Sequence, residues 1–140
     1  RQNNLEFLLE IITSREYETN DEDILKVIDH LYRIGIRPDW WKLEPLKEQK
    51  NWLKLDKLIV EWDQFCRGIL LLGLDKPMRQ LSRSFKFAQS SKMVKGFAVG
   101  RSIFGKVAEK WFSGKISDTE ATKVMSDNFY KLCAIWNKNN

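Results

Sequence analysis

Gly68-Ile69-Leu70-Leu71-Leu72-Gly73-Leu74 is the stretch on which the fold turns. It is nearly all leucine and isoleucine. A strand apolar on both faces is buried on both, as in a parallel sheet covered by helices. The flanking sequence alternates strand and helix around it. Upstream, Asn51 to Phe65 reads as a helix with Trp52, Leu55, Leu58, Ile59 and Trp62 on one face. Before it, Trp40-Trp41-Lys42-Leu43-Glu44 reads as a strand set between Pro38 and Pro45. Further back, Leu5 to Ile12 reads as the first strand. Asn20-Asp21-Glu22-Asp23 then supplies a cap and acids for a helix start. Ile24, Val27, Ile28, Leu31 and Ile34 follow at helical spacing, and Gly35 is the stop.

Downstream, Asp75 and Pro77 open a third helix with Met78, Leu81, Phe85 and Ala88 facing inward. Val94 to Val99 is the fourth strand. Ser102 to Trp111 is helical and breaks at Gly114. Ser117-Asp118-Thr119-Glu120 is a capping-box pattern for a last, extra helix over about 117–136. Four β-α units with buried strands predict an α/β fold, a parallel sheet with right-handed crossovers. Two architectures satisfy this. One is half of a (β/α)8 TIM barrel, whose full length is about 250 residues. The other is an open doubly wound parallel sheet.

With 140 residues, 43% hydrophobic and 31% charged, the composition is that of one soluble globular domain. No apolar run reaches the ~20 residues of a membrane span, and no secretory leader is visible. The chain opens on Arg1 rather than Met, as a fragment, a processed product or a trimmed chain would. Cys66 and Cys133 stand far apart in no metal-ligand spacing, and both read as buried reduced thiols of a cytoplasmic protein. His30 is the only histidine, so a histidine-built metal site or catalytic triad is not expected. The net charge of +5 comes from bases mixed with acids, which suits an anionic metabolite better than a nucleic-acid footprint.

Strand alternation puts Trp40, Lys42 and Glu44 on one face, and Trp41 and Leu43 on the other. An ammonium buried without a partner is costly. Two outcomes relieve that cost. Lys42 pairs with Glu44 or Glu10 as a structural ion pair, or it loses its proton and becomes a nucleophile toward a ketone. Glu10, a carboxylate in an apolar strand, could stand beside Lys42 at the carboxyl end of the sheet. There it would either shuttle protons or simply neutralise the lysine. Gly100-Arg101-Ser102 lies between the fourth strand and the next helix. A glycine for close approach, helix-start N–H groups and a planar guanidinium suit a phosphate. Gly73 could add an N–H group from the neighbouring loop. The plainer reading is a tight turn with a solvated arginine.

At these residues the sequence resembles a known family. Arg37-Pro38-Asp39-Trp40-Trp41-Lys42-Leu43-Glu44-Pro45, Cys66-Arg67-Gly68, Leu71-Leu72-Gly73-Leu74-Asp75, Val94 through Phe104, and Leu132-Cys133-Ala134-Ile135-Trp136 are similar to the carboxyl-terminal aldolase-like domain of bacterial inositol catabolism. That domain occurs in the fusion family 5-dehydro-2-deoxygluconokinase/5-dehydro-2-deoxyphosphogluconate aldolase. It is about twice as long, so residues 1–140 resemble its second half, strands five to eight of the barrel. The resemblance implies a class I, Schiff-base aldolase. It would split 2-deoxy-5-keto-gluconate 6-phosphate into dihydroxyacetone phosphate and malonate semialdehyde. By position, Lys42 would form the Schiff base, Glu10 would act as acid/base, and Glu44 would match an acid two places after the lysine. Gly73, Gly100, Arg101 and Ser102 would hold the phosphate. Lys95 or Arg101 would favour the neutral amine by like-charge repulsion. No cofactor and no metal are implied. The partners implied are a sugar phosphate, the missing N-terminal half-barrel or a self-copy, and a fused sugar kinase. No nucleic acid and no membrane are expected. The competing reading is a non-catalytic domain that binds a sugar phosphate or steadies a kinase.

Overall fold

The structure, a computed structural model, describes residues 4–13, 20–73 and 77–139. The elements run β1 (Leu8–Ile11), α1 (Asp21–Arg33), β2 (Trp40–Leu43), α2 (Gln49–Trp62), β3 (Gly68–Leu72), α3 (Met78–Ala88), β4 (Val94–Ala98), α4 (Arg101–Phe112) and α5 (Asp118–Asn139). All strand pairs are parallel, and the sheet order is β1-β2-β3-β4. A doubly wound sheet reverses its order at a switch point. This sheet runs in sequence order, the winding that a half barrel requires. Right-handed crossovers in sequence order carry their helices to one side.

The two sides of the sheet differ accordingly. Trp41, Leu43, Ile69 and Leu71 are fully buried and belong to one cluster with Ile28, Tyr32, Trp52, Leu55, Ile59, Leu81 and Phe85 from the helices. The other side carries Leu8, Glu10, Trp40, Lys42 and Leu70, all less than fully buried. β1 and β4 are the edge strands. Leu8 and Ile12 are 43% and 58% exposed at the β1 edge.

Local chemistry explains most boundaries. Asn20 caps α1 through the Asp23 N–H, and the Asp23 carboxylate accepts the Asn20 N–H, closing a capping box. Gly35, at φ 88, ends that helix in the left-handed region. Ser117 and Glu120 cap α5 reciprocally, as the sequence pattern predicts. α5 continues three residues past Trp136, because no glycine or proline interrupts Asn137-Lys138-Asn139. Its Leu132 is fully buried, and Trp136 meets Phe85 edge-on at 5.3 Å. β1 is shorter than the expected Leu5 to Ile12. The Phe7 N–H donates to the Asp39 side chain, outside the strand ladder. α2 begins at Gln49, ahead of Asn51, because Asp21 reaches across from α1. Its buried carboxylate accepts the N–H groups of Lys47 and Glu48 and the Asn51 amide. Leu74, Asp75 and the side chain of Met78 lie outside the described residues.

Beneath the sheet, the Trp41 indole donates to the Tyr32 hydroxyl at 2.8 Å. Burial raises the Tyr32 phenol well above its ordinary 10.0 and the neighbouring Cys66 thiol above 9.0. Both groups are neutral when protonated, so folding favours the protonated forms. The stability they contribute is complete below their unfolded values, begins to be lost as pH passes 9.0 and then 10.0, and goes on falling toward the raised folded values. Urea midpoints measured from about pH 8 to 10.5 should therefore fall, and Cys66→Val should blunt the first part of the fall. A flat midpoint across that range would contradict the burial of both groups. No helix among the described residues is long and apolar enough to cross a membrane.

Candidate functional site

The ladder sets Glu10 of β1 directly beside Lys42 of β2. Their side chains meet at 2.9 Å, with Lys42 Nζ donating to Glu10 Oε1. The lysine side chain is 23% exposed and the glutamate 37%. The amine is therefore neither sealed in the core nor free in bulk water. Both line a cavity of about 330 Å³ at the carboxyl end of the strands. Ligand sites of parallel α/β sheets occur at that end, because loops and helix starts converge there.

The opposite wall of the same cavity is Gly73, Gly100, Arg101 and Ser102. Gly100 is the N-cap of α4, and the first turn of that helix carries no acid. The positive end of the helix dipole is thus unopposed by a carboxylate in that turn. A Cβ on Gly100 would come 3.0 Å from the Phe104 ring, so glycine lets that ring lie against the helix start. A Cβ on Gly73 would meet Val99 at 2.8 Å. Gly73 is thereby required for the close approach of the β3 and β4 ends, independently of any ligand. Ile12, Leu72, Ala98, Val99 and Phe104 complete the lining with apolar surface.

Glu44 is placed differently from Glu10. Its Oε1 accepts the Thr13 N–H at 2.8 Å and the Thr13 hydroxyl at 2.7 Å. It does not line the cavity. Lys95 also departs from expectation. It is exposed near the start of β4, and its ammonium donates to the Lys92 carbonyl at 2.8 Å. It stands away from the cavity that Lys42 lines, so like-charge repulsion on Lys42 cannot come from it.

Sequence reasoning passed over Thr13, Ile12 and Phe104. Phe104 had a legible signal, since it lies one helical turn after Arg101. Thr13 had none, because its partner is 31 residues away. Among the described residues no cluster of three or more His, Cys, Asp or Glu is placed to hold a metal ion.

A parallel sheet wound in sequence order defines an α/β protein, and its lysine-carboxylate pair shares one cavity at the strand ends with a helix start. The chain belongs to the DUF2090 family, described as "Uncharacterized protein conserved in bacteria", and the match spans residues 1–140. No curated protein matches the chain.

Proposed function

We propose that this chain carries the Schiff-base site of a class I aldolase acting on a ketose phosphate. The observation that carries this reading is the Lys42–Glu10 pair sharing one cavity with the start of α4. A ketone held there has an amine, a proton acceptor and an anion-binding end within one site. Lys42 lies on β2 and Gly100 just follows β4, two strand spacings away, roughly 10 Å at the usual strand separation. The lysine stem covers part of that distance. A carbonyl one carbon from a phosphate ester covers much of the rest.

The substrate we propose is 2-deoxy-5-keto-gluconate 6-phosphate. Glu10 takes a proton from the Lys42 ammonium, and the freed amine attacks the C5 carbonyl. Loss of water leaves an iminium. Glu10, having passed its proton to the departing water, takes the C3 hydroxyl proton as the C3–C4 bond breaks. The bonding electrons enter the enamine, and malonate semialdehyde leaves. Protonation at C4 and hydrolysis of the iminium release dihydroxyacetone phosphate and restore Lys42. Arg101, Ser102 and the N–H groups at the start of α4 hold the phosphate throughout.

The uncovered sheet face and the β1 and β4 edges would be closed by an N-terminal half-barrel or by a second copy. A fused sugar kinase is a further proposed partner. Two free cysteines fit a reducing, cytoplasmic setting. Incubating the full chain with dihydroxyacetone phosphate and borohydride tests the reading. A covalent adduct is expected, mapped by mass spectrometry to the peptide containing Lys42. Saturable phosphate-ester binding without an adduct would replace this proposal with the non-catalytic sugar-phosphate-binding reading.

A further inference from the structure

Glu44 stands two residues beyond Lys42, yet among the described residues its carboxylate accepts the N–H and the hydroxyl of Thr13. Thr13 in turn stands three residues beyond Glu10. The backbone ladder between these strands ends at the Ile11–Leu43 pair. The Thr13–Glu44 contact therefore continues the β1–β2 pairing beyond its last rung, with a carboxylate oxygen taking the place of a backbone acceptor. The ladder has only four rungs. β1 is an edge strand whose Glu10 is held on one side only. A slip of one residue would turn Glu10 to the opposite face of the sheet.

We infer that Thr13 and Glu44 form a positioning clasp that fixes the end of β1 and so keeps Glu10 against Lys42. Glu44 acts through Thr13, and its carboxylate does not touch the substrate. The inference rests on the reading of Glu10 and Lys42 as the reactive pair, but its test does not require turnover. The clasp is partly buried, so water replaces it poorly once the hydroxyl is removed.

Trace acetylation at fixed pH, with each lysine quantified by mass spectrometry, reads the availability of the Lys42 amine. In Thr13→Val, Lys42 should label about two- to fivefold faster, the range expected when a partly exposed ion pair is lost. Lys50 and Lys110 should not change. Thr13→Ser keeps the hydroxyl and should restore the original rate. If Thr13→Val does not fold, Glu44→Gln keeps an acceptor oxygen and should give a smaller increase of the same sign. An unchanged Lys42 rate in the folded variants overturns the clasp. Failure of serine to restore the rate overturns it too. Absence of a borohydride adduct in the unaltered chain would sink the aldolase reading and leave the labelling result to decide the clasp alone.

Discussion

On the Schiff-base proposal, Lys42→Met is expected to abolish the borohydride-trapped adduct and to reduce aldol cleavage by roughly 10³-fold or more, because Lys42 is the only amine among the described residues that line the cavity. Methionine keeps the length and apolar stem of lysine. The pair it removes is partly exposed, so the stability change should stay within about 1 kcal/mol. Loss of reaction without loss of fold is thus the signature to look for, measured by trapping and by urea denaturation on one preparation. Glu10→Gln provides the contrast. It leaves the amine in place, so an adduct should still form with dihydroxyacetone phosphate, but more slowly, since Glu10 no longer moves the protons of iminium formation. Cleavage should slow by about 10²- to 10⁴-fold, the usual contribution of a positioned acid/base group. Equal adduct yields from the unaltered chain and Lys42→Met would refute the assignment of the nucleophile.

The largest effect on stability is expected at Asp21, which looks from the sequence like one more acid in the first turn of α1. Its side chain is buried and accepts the Lys47 N–H at 2.9 Å, the Glu48 N–H at 3.1 Å and the Asn51 amide at 2.9 Å. It caps α2 from another helix, since Glu48 at the N-cap makes no side-chain capping bond of its own. Asp21→Ala would leave these donors without this acceptor, the Asn51 amide in a buried place and the Lys47 and Glu48 N–H groups in a part-buried one. A loss of about 3 kcal/mol is expected in urea denaturation. Asp21→Asn retains one acceptor oxygen and should lose less, about 1 kcal/mol. A loss below about 1 kcal/mol in the alanine variant would show that the donors find other partners. The clamp also bears on the site, because the Pro45-Leu46 segment it steadies leads directly from the strand that carries Lys42.

What could be read from the sequence follows from the range of the forces involved. The alternation of strands and helices was legible because periodic apolar residues, capping boxes and glycine stops act within a few residues. So was the division of β2 into two faces, Trp40 and Lys42 on one and Trp41 and Leu43 on the other, since a strand alternates strictly. The juxtaposition of Glu10 and Lys42 needed only the further assumption that neighbouring units pair in parallel. Contacts made by side chains from distant elements were not legible. The early start of α2 depends on Asp21, 28 residues before Gln49 in the sequence (49 − 21). The Thr13 clasp on Glu44 and the turning of Lys95 toward Lys92 likewise depend on which rotamers the packed chain allows. The short β1 reflects an Asp39 side chain competing for the Phe7 N–H.

The sheet divides its labour by side. Trp41, Leu43, Ile69 and Leu71 answer for cohesion, while Glu10 and Lys42 look the other way. The rest of the cavity comes from the ends of β3 and β4 and the opening of α4. An exchange at Ile12 or Phe104 therefore alters what the cavity admits while leaving the wedge of aromatic rings and aliphatic side chains beneath it intact. Such a molecule has evolutionary latitude, since its preference for one ligand over another can drift without renegotiating the architecture that supports it.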